Sequence, residues 1–194
     1  MEKLVKYQTD PTMIVDEITQ PQPHLFLDMD GVQANFFTRW ANAFGHERYK
    51  DIGSKEQREQ SIVELNRRGP AWVEQFFATL DPLPGGMRLV AWLKQHRIPF
   101  TVLSAPLRNN NEASIRGKRT WLAQHNPNVP AIFTGAKENE VKRALKRGEP
   151  PPILIDDFKK YIQSWEAAGG RAILYREPLV DDIIAQLKEI YNIK

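Results

Sequence analysis

His24-Leu25-Phe26-Leu27-Asp28-Met29-Asp30-Gly31-Val32 is the stretch whose reading decides the fold. An apolar run ends in two aspartates spaced i, i+2, followed by glycine. Alternate residues of an extended segment face the same side, so Asp28 and Asp30 can address one point at the end of a buried strand. Two carboxylates that close repel each other and ask for a cation. Gly31 lets the chain leave the strand sharply. Taken alone, the stretch fits equally well a strand running into an ordinary Asp-Gly turn.

Outward from this strand the chain divides by periodicity. Between residues 33 and 80 apolar side chains recur at helical spacing, first Phe36, Phe37, Trp40, Ala43 and Phe44, then Trp72, Val73, Phe76, Phe77 and Leu80. A polar stretch from Lys50 to Arg68 separates the two stripes, and Pro82 and Pro84-Gly85-Gly86 close the segment. Thereafter strands alternate with helices. Helices are expected over 87–96, 112–125, 137–147, 159–168 and 179–191, and strands over 99–104, 131–134, 152–156 and 172–175. That alternation argues an α/β, Rossmann-like, three-layer α/β/α parallel sheet with a small helical insert after its first strand. No internal repeat and no low-complexity tract interrupts it.

Composition narrows the class. The 194 residues suffice for one domain with a real core, and the apolar and charged fractions, 41% and 26%, are those of ordinary globular proteins. There is no cysteine, which excludes a disulfide framework and a thiolate zinc site. Met1–Gln20 has no apolar run of the secretion-signal kind, and no segment approaches membrane-spanning length, so a cytoplasmic protein without a membrane role is expected. A net charge of +3 suits anionic substrates and is too weak to argue nucleic-acid binding.

In open parallel sheets ligands bind beyond the carboxyl ends of the strands. Three of the expected strands end there in Asp28/Asp30, Ser104 and Asp156-Asp157. If they are neighbours, four carboxylates and a hydroxyl share a crevice, an arrangement that needs a bound cation or protonation. Oxygen donors without histidine or cysteine favour Mg2+, whose shell is usually completed by water and substrate phosphate. His24, His46, His96 and His125 show no ligand spacing. A carboxylate can also act as nucleophile, and a second can shuttle the proton.

Asp28-Met29-Asp30-Gly31-Val32, a strand ending in Ser104, a following lysine and Ile155-Asp156-Asp157 together resemble the four-motif set of haloacid dehalogenase (HAD) superfamily phosphatases. A narrower resemblance is to the 5′(3′)-deoxyribonucleotidases. It is carried by Asp28 through Phe36, by Phe76-Phe77-x-x-Leu80-x-Pro82-Leu83-Pro84-Gly85, by Ser104-Ala105-Pro106-Leu107 and by Gly117-Lys118-x-x-Trp121. Gln33 and Asn35 depart from it, standing where those enzymes usually carry leucine and an acid, and so does Phe158-Lys159-Lys160 after Asp157, where different loop contacts are expected.

The resemblance implies a HAD-like core over 24–32 and 87–194, a helical cap over 33–86 and an N-terminal extension over 1–23. It implies Asp28 as nucleophile and metal ligand, and Asp30 as general acid/base with its carbonyl on the metal. Ser104 and Lys118 would bind phosphate. Asp157 would be a Mg2+ ligand, with Asp156 behind it or sharing the role. Lys137 and Lys142 are read as part of a solvated basic helix face with Arg143, Lys146 and Arg147. Phe36 is the candidate to stack on a base, a contact worth about 1–3 kcal/mol; Phe37 and Phe77 are read as packing residues, Trp121 and Trp165 as core.

The expected function is Mg2+-dependent hydrolysis of nucleoside monophosphates, deoxyribonucleotides foremost, through an aspartyl-phosphate on Asp28. The alternatives are a phosphatase of nucleic-acid ends or of another small phosphomonoester, and a non-catalytic nucleotide sensor. Relatives of this kind also suggest a homodimer.

Overall fold

Every residue of the run Leu25-Phe26-Leu27 is buried, and it forms the central strand of the sheet. The computed structural model describes residues 21–193; the expected N-terminal extension lies outside the described residues except for Pro21–Pro23. Five strands pair, all in parallel: β1 (Leu25–Leu27), β2 (Phe100–Ser104), β3 (Ala131–Phe133), β4 (Ile153–Asp156) and β5 (Arg171–Leu174). Their order is β3-β2-β1-β4-β5. The chain therefore builds outward from β1 on one side and returns to build on the other. The reversal lies between β1 and β4, where such sheets open their ligand crevice.

The pleat sorts side chains to two helical layers. Leu25 and Leu27 of β1, Val102 of β2 and Ile153 and Ile155 of β4 face one core. It is covered by α4 (Pro84–Gln95), α5 (Asn111–His125) and α8 (Val180–Ile190), through Leu89, Trp121 and Leu187 among others. Phe26, Leu103 and Leu154 point the other way, onto Val141 of α6 (Asn139–Lys146) and Trp165 of α7 (Lys159–Ala167). Trp121 and Trp165 are wholly buried, as expected of core residues. Their indole N–H groups donate to the carbonyls of Leu80 and Pro152 at 2.7 and 3.1 Å.

Between β1 and α4 lie α1 (Phe36–Ala43), α2 (Lys55–Arg67) and α3 (Pro70–Ala78). Ser54 caps α2 in a reciprocal box with Gln57. Pro70 occupies the first position of α3. The start of α4 differs from expectation. Pro84-Gly85-Gly86 does not close the helical segment but opens α4, because proline at the first turn forfeits no hydrogen bond that the helix could have made. The segment is fastened to the sheet domain along α3 and α5. A Cβ on Gly117 would lie 2.3 Å from the carbonyl oxygen of Glu74, so only glycine permits this approach.

Candidate active site

The carboxyl ends of β2, β1 and β4 are adjacent, so the three polar strand ends converge. Asp28 follows β1 and extends the ladder through its N–H, which donates to the Ile155 carbonyl at 2.9 Å. The chain then folds around the Met29 carbonyl, which accepts from Gln33 and Ala34 at 2.8 and 2.9 Å. Gly31 has φ +74°, and a Cβ there would fall 2.5 Å from Asp157 Oδ2 and 2.7 Å from the Phe37 ring. The glycine thus allows both the turn and the close approach of the β4 loop.

Side-chain oxygens of Asp28, Asp156 and Asp157 lie within 4.8 Å of one another. Asp28 and Asp156 are buried. Both Asp156 oxygens are engaged, Oδ2 by Lys137 Nζ at 2.7 Å and Oδ1 by the Phe158 N–H at 2.8 Å. Asp28 Oδ1 is 2.8 Å from Lys137 Nζ as an ion pair, yet receives no well-aligned hydrogen bond. Asp30 Oδ1 is likewise buried without a partner among the described residues.

Electrostatics report the same crowding. Burial, then the charges of Asp28, Asp156 and Asp30, push the Asp157 carboxyl up to about 8. Burial and then Asp28 raise Asp156, against the pull of Lys137. Burial also raises Asp30, opposed first by Lys118. Burial works against the Lys137 ammonium, but Asp28 and Asp156 outweigh it and hold its pKa above the usual lysine value. Three converging hard oxygen donors, with proton affinity raised at Asp156 and Asp157, fit a divalent cation such as Mg2+.

Two buried lysines divide the site. Lys118, on α5, donates to Asp30 Oδ2 at 2.6 Å, to Ser104 Oγ at 2.9 Å and to the Ala105 carbonyl at 2.7 Å. It therefore stands beside Asp30 and Ser104. The reading of Lys137 as part of a solvated face is corrected. Its side chain is wholly buried just ahead of α6, between Asp28 and Asp156, and its ammonium lies 4.5 Å from the Tyr161 ring centre. Lys142, five residues on and within α6, is exposed. The signal in the sequence was positional: Lys137 precedes the periodic part of α6, where a side chain can turn toward the sheet.

Gln33 had no role on sequence grounds. It is fully buried, donates to the Asp28 carbonyl at 2.9 Å and accepts from Asn126 Nδ2 at 3.1 Å, so it props the backbone of the β1 loop from α5. Asn35, the other departure, caps α1 by accepting from the Thr38 N–H. Phe36 is 8% exposed within an aromatic group of Phe37, Trp40, Phe76 and Phe77, and it reaches the wall of the adjoining cavity. That cavity, about 900 Å3, begins at Asp30 and runs between α2 and α7.

A family model for 5′ nucleotidase, deoxy (pyrimidine), cytosolic type C protein matches residues 22–186. Among solved structures the fold is similar to that of a putative phosphoglycolate phosphatase from Lactobacillus delbrueckii subsp. bulgaricus. The TM-score is 0.53 at 16% identity, over 81% of this chain and 87% of that one. It is also similar to a HAD family hydrolase from Deinococcus radiodurans R1 with bound phosphate and sodium, at TM-score 0.51 and 13% identity over 88% and 96% of the two chains. A HAD-superfamily hydrolase from Ehrlichia chaffeensis gives TM-score 0.50 and 16% identity over 89% and 98%. No curated protein sequence matches the chain.

Proposed function

The chain belongs to the cytosolic type C 5′-nucleotidase family of HAD-like phosphoric monoester hydrolases, and from that premise we propose that it hydrolyses nucleoside monophosphates, deoxyribonucleotides foremost, in the cytoplasm. The observation that carries the reading is the division of labour between two acid–lysine groupings, Asp28 with Lys137 and Asp30 with Lys118 and Ser104.

Asp28 is the nucleophile. Lys137, paired with its carboxylate at 2.8 Å, holds it in place and offsets phosphate charge as the phosphoryl group arrives. Asp30 lies across the entry with a raised proton affinity, so it can hold a proton for the leaving sugar oxygen and then take one from the water that attacks the Asp28 acyl phosphate. Ser104 supplies its O–H to the equatorial phosphate oxygens, and Lys118 adds positive charge beside it while holding Asp30 and Ser104 in place. Asp28, Asp157 and the Asp30 carbonyl would hold Mg2+, with Asp156 anchoring Lys137 behind them. When bound, the ion neutralises phosphate charge and keeps attacking and leaving atoms in line. The helices between β1 and α4 act as a cap that shields the phosphoenzyme from bulk water.

Phosphate release is the test, measured on ribo- and deoxyribonucleoside monophosphates with Mg2+ or EDTA, for the native chain and Asp28→Asn. Metal-dependent release with a deoxy preference, reduced by roughly 1,000-fold or more in the variant, is expected. Full turnover by Asp28→Asn would sink the mechanism, and release from generic phosphoesters but from no nucleotide would sink the substrate.

A further inference from the structure

The cavity beside the site has two walls. One is a single face of α2, where Glu59, Ile62, Val63 and Asn66 recur at helical spacing. The other is the start of α7, with Phe158, Lys160 and Tyr161. Four large apolar side chains of the described residues are exposed, and two of them, Val63 at 46% and Phe158 at 53%, line this one cavity from its two walls. Leu65 of α2 is buried in the core and explains why that helix packs; nothing in the packing explains Val63 or Phe158.

Phe158 is held but not covered. Its ring meets Tyr161 edge to face, 5.6 Å between centres at 70°. Tyr161 in turn lies over the Lys137 ammonium, so a chain of contacts ties the ring to the catalytic lysine. Phe158 also follows Asp157 directly, and its N–H is fixed on Asp156. Phe36 is engaged on several sides, stacked on Phe77 at 5.9 Å and 10° and in edge contact with Phe37 and Phe76, which leaves it little free surface. The cavity rim carries Arg108 and Lys160 but also Glu59 and Glu138. With no single sign of charge, the mouth suits a neutral, flat occupant better than a polyanion.

We propose that Phe158 is the platform on which the substrate's nucleobase stacks, with the Ile62–Val63 edge of α2 closing on the base's other face. This rests on the reading of the site as a nucleotide phosphatase. The phosphate then sits at Asp28, and the base reaches out between α2 and α7, pinned by the loop that also carries Asp157. Phe158 is a specificity residue and takes no part in the proton or phosphoryl steps.

The experiment compares kcat/KM for thymidine 5′-monophosphate with that for 2-deoxyribose 5-phosphate, which has the sugar and phosphate without a base. The ratio is expected to fall about tenfold in Phe158→Ala, mainly through KM, to stay low in Phe158→Leu and to recover in Phe158→Trp. A Phe158→Ala ratio within twofold of native, or a Phe158→Leu ratio equal to native, overturns the proposal. If the native chain releases phosphate from neither compound, the proposed function falls separately. Titration of thymidine 5′-monophosphate with Mg2+ then decides the stacking: a tenfold weaker Kd in Phe158→Ala upholds it, an unchanged Kd overturns it.

Discussion

Lys137 is the side chain on which the charge balance of the site turns. It lies between two buried carboxylates, and removing one partner of a buried ion pair leaves uncompensated charge, at a cost of about 3–5 kcal/mol. Lys137→Met is therefore expected to lower stability by that order in urea denaturation, whereas exposed Lys142→Ala should stay within about 0.5 kcal/mol of native. Similar losses for both would refute the assignment of Lys137 to the interior. At the other end of β1, His24 shares a 2.9 Å hydrogen bond with Thr101, and burial lowers its pKa. The unfolded chain then binds the proton more readily, so this group's contribution to stability is present above its ordinary value near 6.5 and declines as pH falls below it. His24→Gln should flatten that acid-side decline in pH-dependent thermal melts; an unaltered slope would count against the burial effect.

Among the elements, the joint between α3 and α5 matters most for the site, because Gly117 at the joint is next to Lys118. Gly117→Val should force the two helices apart, cost about 1–3 kcal/mol and weaken turnover by moving Lys118 from Asp30 and Ser104. Native melting and native turnover together would show that the joint yields at no cost. Much of the element pattern was legible from the chain. β1, β2 and β4 announced themselves as apolar runs ending in Asp28, Ser104 and Asp156. Neighbourhood was not legible, since β4 lies beside β1 only through the return of the chain across the sheet. Nor was the role of Gln33, a polar residue in a loop whose partner Asn126 is distant in sequence. Lys137 was misread because periodicity describes α6 and says little of the residue just before it. Phe158 stood out only as a departure in the loop after Asp157, since an aromatic in a strand-to-helix loop is equally compatible with packing.

At the scale of the whole molecule, binding of a cation that relieves the Asp28–Asp156–Asp157 repulsion should raise stability in proportion to occupancy. At one hundred times Kd the gain is about 2.7 kcal/mol, which for a chain of this size corresponds to a rise in Tm of roughly 5–10 °C. Differential scanning calorimetry with Mg2+ and with EDTA checks this, and Asp157→Asn should reduce the increment. An identical Tm with and without Mg2+ would argue that the acids hold protons instead of metal. The same three-layer architecture also separates tasks: the sheet and its flanking helices hold the phosphate chemistry, while α2 and the start of α7 frame the cavity.

The strand order β3-β2-β1-β4-β5 has a consequence for biosynthesis. Asp28 leaves the ribosome 128 residues ahead of Asp156 and 129 ahead of Asp157. At ordinary translation speeds the delay is roughly 6–25 s. Until then β1 has β2 on one side and an open edge on the other, a surface on which nascent chains can pair wrongly. The late arrival of β4 closes that edge and brings the opposing carboxylates together in the same event. The electrostatic burden of the site is thus deferred until β1, β2 and β3, with the helices between and after them, have been made.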